Sequence, residues 1–183
     1  MTALAAENPP PAPPASAAVG RVKQEVETLL GPDAMFELQG ALPVFRLPAA
    51  AIHAACRRLR DAGFEYLILV TAVDYPAEKR FELVYVLSNF GDAREIGLVA
   101  DIDRDQPVIE TVSDLWETAD WHEREVYDLF GIRFDHHRDL RRILLDDHWV
   151  GHPLRKDYVD TVHDVIKRPV QARTPPENIP PVP

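Results

Sequence analysis

Apolar positions recur along the first part of the chain in patterns that predict a layered α+β domain. Val22, Val26, Leu29 and Leu30 keep helical spacing, and Gly31-Pro32 stops that helix. Residues 35–38 and 44–47 are short strand candidates, joined through Gly40 and Pro43. Residues 49–62 predict a second helix, with Ile52, Cys56 and Leu59 on one stripe and Gly63 as its C-terminal cap. Residues 64–73 form a nearly continuous apolar run, which predicts a central strand covered on both faces. Phe81, Leu83, Tyr85 and Leu87 alternate, as do Ile96, Leu98, Ala100 and Ile102, so each set predicts a strand with one face on the core. Turns are expected over residues 75–79 and 89–92. The sum is a mixed β-sheet with helices packed on one face, followed by a motif-rich C-terminal segment and an extended tail.

Proline then sets the boundaries. Of 17 prolines, five fall in residues 9–14 and six in residues 169–183. This predicts a disordered Pro/Ala-rich arm over residues 1–20, a single domain over 21–158 and an extended Pro-rich tail over 159–183. A net charge of -10 would be repelled by a phosphate backbone or an anionic membrane, so no nucleic-acid partner is expected and any membrane contact would be indirect. The one cysteine cannot form an intrachain disulfide, nor can it hold an iron–sulfur cluster alone. No apolar run approaches the roughly 20 residues of a transmembrane helix, and the first residues do not resemble a secretory signal. A bacterial cytoplasmic protein is the simplest expectation.

The second half changes character. Ser113 is placed to cap a short helix carrying Leu115 and Trp116, and Asp120 with Glu123 forms a capping-box-like pair ahead of a helix over 121–130 that Gly131 ends. A short helix is expected near residues 140–144. At 100° per residue Val126, Tyr127, Leu129 and Phe130 share an apolar face, into which His122 and Glu123 also fall. Arg124, Glu125 and Asp128 lie opposite, with Trp121 among them. Glu123 is therefore a carboxylate where hydrocarbon belongs. It either completes a helix cap or forms a buried ion pair with Arg141, Arg142 or a partner's arginine. Trp121 on a charged face fits a half-exposed binding anchor. Arg124 and Asp128 are spaced to pair on the helix surface, worth only ~0.3–0.5 kcal/mol.

Candidate chemistry is sparse. His136, His137, His148 and His152 lie close in sequence, but no H-E-x-x-H spacing or cysteine pair accompanies them. Hydrogen-bonded or solvated histidine is the default, and a freestanding metal hydrolase built on these histidines is the minor alternative. No glycine-rich phosphate loop or G-x-S-x-G string occurs. Cys56 reads as a small buried hydrophobe and Asp74 as the initiator of the turn before Tyr75-Pro76. Pro153 drives His152 toward an extended conformation. Arg155, Lys156, Asp157 and Tyr158 then make a strip suited to lie across another protein.

Three strings carry a family resemblance: Trp121-His-Glu-Arg-Glu-Val-Tyr-Asp-Leu-Phe-Gly131, Asp139-Leu-Arg-Arg-Ile-Leu144 and Gly151-His-Pro-Leu-Arg-Lys-Asp-Tyr158, preceded by Leu69-Val-Thr-Ala-Val-Asp-Tyr75. In this order they resemble the "30 kDa" subunit family of the proton-pumping NADH:quinone oxidoreductase, respiratory complex I. The same domain occurs in related membrane-bound hydrogenases. The resemblance implies a non-catalytic core subunit of the peripheral arm at the cytoplasmic face of a bacterial plasma membrane. Its partner there would be the hydrogenase-like large subunit that helps form the quinone site. Flavin, iron–sulfur clusters and quinone would then belong to partner subunits, with no catalytic, cofactor or metal residue in this chain. Subunit contacts would run through Trp121, Glu123, Arg124, Glu125, Asp128, Arg141, Arg142, His152, Arg155, Lys156, Asp157 and Tyr158. The alternative is the equivalent subunit of a hydrogenase-type complex. Two sites depart from the family pattern. His136-His137-Arg138 stands where Gly-His-Pro is common, removing a residue free to take a positive φ, and Val159 stands where proline usually follows Tyr158.

Overall fold

A computed structural model describes residues 15–160. Residues 1–14 of the expected arm and 161–183 of the expected tail lie outside the described residues. Helix α1 (Ala15–Leu30) begins inside the segment assigned to the arm. Its apolar stripe starts only at Val22, but the preceding Ala-rich residues are strong helix formers and carry the helix upstream.

Five strands build the main sheet: β1 (Met35–Gln39), β2 (Leu42–Arg46), β3 (Tyr66–Tyr75), β4 (Arg80–Asn89) and β5 (Arg94–Asp103). Their order is β1-β2-β5-β4-β3, with β2 and β5 parallel and the other neighbours antiparallel. The sheet is therefore mixed, as the sequence predicts. Leu83 faces Ala100 and Tyr85 faces Leu98 across β4 and β5, so the two alternating sets fall on one face. Against that face pack the stripes of α1, α2 (Ile52–Asp61) and α3 (Glu117–Phe130) in a single core. Ile52, Ala55, Cys56 and Leu59 of α2 are all essentially solvent-free. Gly63, at φ +98, follows α2 in the capping role expected of it.

β3 is not the central strand its apolar run predicts. It is the sheet's edge, and α3 packs along it, with the Thr118 hydroxyl donating to the Leu67 carbonyl. A register shift between Leu67 and Leu69 explains the unbroken run. The extra residue reverses the alternation, so Leu67, Val70, Ala72 and Asp74 all face inward while Leu69, Thr71 and Val73 stay partly or fully exposed.

Two three-residue strands, β6 (Val108–Glu110) and β7 (Arg133–Asp135), pair in parallel and bracket α3. They are too short to show an alternation, which is why the sequence predicts no strand there. After β7 the chain turns through His136 at φ +66, so a left-handed position survives without glycine. Residues 113–115 make a single turn rather than a capped helix, and residues 140–144 form no helix, with bends at 143–145.

Candidate functional site: a C-terminal strap on helix α3

A helix leaves its last four carbonyls without partners. In α3 these are the carbonyls of residues 127–130, and residues 131–155 satisfy all of them. The Gly131 N–H donates to the Tyr127 carbonyl, while Arg142 Nη1 (3.2 Å) and His152 Nδ1 (2.9 Å) donate to that of Asp128. The Leu154 N–H donates to the Leu129 carbonyl at 3.1 Å and Arg155 Nε to the Phe130 carbonyl at 2.6 Å. Because a carbonyl only accepts, His152 carries its hydrogen on Nδ1. Burial lowers the His152 pKa, so the ring is neutral at pH 7.

The Asp128 carboxylate anchors this strap. It is fully buried, and its Oδ1 accepts from Arg142 Nη1 at 2.7 Å. Its Oδ2 accepts the backbone N–H groups of Ile143, Leu144 and Leu145 at 2.8–3.0 Å. Burial alone would raise its pKa, but the backbone donors and Arg142 outweigh that and hold it below the usual carboxylate range. The same bonds explain the missing helix at 140–144, since N–H groups pointing at Asp128 cannot point at carbonyls one turn back. The expected surface pair of Arg124 with Asp128 does not form. Residues folded over α3 cover the face that an isolated helix would leave to water.

Asp74 holds the far end of the strap. It accepts from Arg104 Nε (2.7 Å), Arg104 Nη2 (3.0 Å) and the Lys156 N–H (2.8 Å), and Arg104 Nη2 also reaches Asp157 at 2.6 Å. The Arg104 bonds, opposed by burial, keep the Asp74 carboxyl below its ordinary value. Asp74 is thus a clamp between sheet and strap rather than a turn initiator. Two glycines make the packing possible. A Cβ on Gly131 would meet the His152 ring at 2.5 Å and one on Gly151 the Tyr158 ring at 2.7 Å, and both glycines have positive φ.

Glu123 sits on the inner stripe of α3 as expected, fully buried between Ala119 and Val126, but its partners differ from the prediction. It accepts from the Thr111 hydroxyl and from the Val112 N–H (2.8 Å), with His137 Nε2 3.9 Å away. Arg141 and Arg142 are engaged elsewhere, on Asp139 and Asp128. Burial raises the Glu123 pKa to about 7, against the pull of its two hydrogen bonds. Nor does Glu123 complete a capping box. α3 starts at Glu117, no side chain caps it, and Asp120 instead binds Arg124 (2.6 Å) and Arg138 (2.8 Å).

The twelve residues assigned to subunit contacts therefore divide. Glu123, Arg124 and Asp128 are at most 6% exposed and frame the domain internally. Arg142, His152 and Arg155 bind the end of α3, and Asp157 binds Arg104. Glu125, Arg141 and Lys156 lie at the surface, Tyr158 is half-buried over Gly151, and Trp121 is 62% exposed with Arg124 over its ring at 4.4 Å. Sequence reasoning missed the anchoring roles of Thr111 and Arg104, for which no local pattern gives a signal. The histidines do not converge. His136 and His148 are exposed, His137 is buried beside Asp120, and His152 binds Asp128. Among the described residues no group of three or more His, Cys, Asp and Glu is placed to hold a metal ion, and no helix is long and apolar enough to cross a membrane.

Comparisons with known proteins bear on the family. A family model described as "Respiratory-chain NADH dehydrogenase, 30 Kd subunit" matches residues 45–163. The corresponding subunit of the NADH-quinone oxidoreductase of Moorella thermoacetica is 40% identical over 136 residues, covering 74% of this chain and 91% of the relative. That of Phenylobacterium zucineum is 39% identical over 155 residues, covering 78% and 74%. Among solved structures, a trypsin-resistant fragment of Nqo5 superposes with a TM-score of 0.59 at 31% identity, covering 67% of this chain and 98% of the fragment. A chain of the membrane-bound sulfane sulfur reductase, an archaeal respiratory membrane complex, superposes with a TM-score of 0.70 at 30% identity, covering 86% and 94%. On the span of the family match and the identity to these relatives, the chain belongs to the 30 kDa subunit family of the respiratory-chain NADH dehydrogenase.

Proposed function

We infer that this chain is a non-catalytic core subunit of the peripheral arm of a NADH:quinone oxidoreductase, docked through its strap on the hydrogenase-like large subunit. One observation carries the reading. Arg142, His152 and Arg155 of the strap turn inward to fix its shape, while Trp121, Leu144, Val150, Leu154 and Val159 stand exposed around it. A segment held rigidly with its apolar side chains in water is preorganised to bury them against a partner. Flavin, clusters and quinone then belong to the partner subunits, and the chain reaches the cytoplasmic face of the membrane only through them.

The test is Leu144→Glu with Leu154→Glu in the tagged full chain. Both side chains are more than half exposed, so the isolated protein keeps its melting temperature. Recovery of the large partner subunit falls at least tenfold; full assembly of the double variant contradicts the reading. The resemblance to a chain of the archaeal reductase favours a second reading, an equivalent subunit in a related membrane-bound complex. Co-purification of a NADH-binding flavoprotein separates the two, because only the first reading requires it.

A further inference from the structure

Arginines that leave water in this protein pair with carboxylates. Arg46, Arg80, Arg94, Arg104, Arg124 and Arg142 each have one at 2.5–2.8 Å. Arg155 does not. Its Nε is engaged by the Phe130 carbonyl and its guanidinium carbon lies 5.1 Å from the centre of the Phe81 ring, but among the described residues no carboxylate pairs with it. Asp157 and Asp74 are near, yet both bind Arg104. Burial, and after it the neighbouring Arg104, lowers the Arg155 pKa, which is the signature of a cation short of a counter-charge.

Arg155 lines an open cavity of about 310 Å³ with Gly151, His152 and Tyr158. The neighbouring side chains are each tied to another group. His152 donates to Asp128, Tyr158 donates to the Val150 carbonyl at 3.3 Å, Asp157 binds Arg104, and Asp160 has a partner of its own. Val150, Leu154 and Val159 stand exposed close by in the same segment, at 59%, 51% and 73%. A partly desolvated cation beside exposed apolar side chains has the anatomy of an interface hot spot. With Nε engaged, Nη1 and Nη2 remain as an end-on fork, the geometry that grips a carboxylate with two parallel bonds.

We propose that this cavity is a socket in which Arg155 receives an aspartate or glutamate side chain of the neighbouring subunit. The proposal rests on the docking reading above and names the partner's chemistry. A free small carboxylate would satisfy the fork but leave the apolar residues in water, so the protein side chain is the better occupant.

The test uses the assembled complex, purified through a tag on the full chain carrying Arg155→Lys in a Lys156→Arg background. A zero-length carbodiimide joins an amine only to a carboxylate in contact with it. The expected product is an isopeptide bond from position 155 to an Asp or Glu of a partner chain, absent when Lys156→Arg is present alone. A complex that assembles fully but links position 155 to no partner carboxylate overturns the socket and leaves docking intact. Recovery of the unsubstituted chain without partners overturns the docking reading itself. If Arg155→Lys blocks assembly, the melting temperature of the isolated chain decides. An unchanged value with recovery reduced tenfold or more supports the socket, whereas a lowered value assigns Arg155 only to capping α3 and overturns it.

Discussion

Replacing Asp128 with alanine tests how the strap is held. The substitution removes one carboxylate and strands four donors, namely the Arg142 guanidinium and the N–H groups of residues 143–145. Hydrogen bonds to a charged group are worth about 1.5–3 kcal/mol each, but they are not additive, and stranded N–H groups near the surface regain water. Breaking a buried ion pair by deleting one partner costs about 3–5 kcal/mol. A loss of about 4 kcal/mol follows, a large share of the roughly 5–15 kcal/mol that holds a domain together. Asp128→Asn keeps one acceptor oxygen and loses about half as much. Urea unfolding of the purified chain at pH 7 measures both losses, and limited proteolysis reads release of residues 141–158. The pH dependence gives a second check. The folded pKa of Asp128 is depressed, so its contribution is present above the ordinary carboxylate value near 4 and is lost as pH falls through the folded value. The alanine variant is therefore less sensitive to acid. A loss under about 1 kcal/mol, well below the cost of stranding a buried charge, would refute the assignment of Asp128 as the anchor.

Two further substitutions probe the frame. Glu123 has a folded pKa near 7 against an unfolded value of about 4.3, so its stabilising contribution is complete below about pH 4 and is lost as pH rises toward 7, by about 3 kcal/mol in all. Glu123→Gln removes that decline, and its stability between pH 5 and 8 should be flatter than that of the unsubstituted chain; parallel curves would show that Glu123 is ionised throughout. Gly131→Ala combines a left-handed φ with a Cβ 2.5 Å from the His152 ring, so it costs about 1–3 kcal/mol and displaces His152, read as a rise of the His152 pKa toward 6.5 by NMR titration.

The elements were legible where periodicity is long. The alternations at 81–87 and 96–102 and the stripe on α2 each place their residues in the core. What the sequence concealed is how elements cover one another. An apolar run looks the same in a central strand and in an edge strand whose bulge flips the alternation, and β3 is the second. Asp120 carries the composition of a helix cap, yet it lies one turn inside α3 and serves two arginines. Asp128 belongs to the outer face of an isolated helix and becomes interior only because residues 142–145 fold over it. In the strings from 121 to 158, charged residues such as Glu123, Arg124, Asp128 and Arg142 hold the chain together rather than face outward.

Docking is the central claim, and its most direct measurement is affinity purification of the tagged, unsubstituted chain from gently solubilised membranes, with its companions identified by mass spectrometry. Recovery with a hydrogenase-like large subunit and with flavin- and cluster-bearing subunits is the predicted result. Emergence of the chain alone, from the soluble fraction, would contradict it.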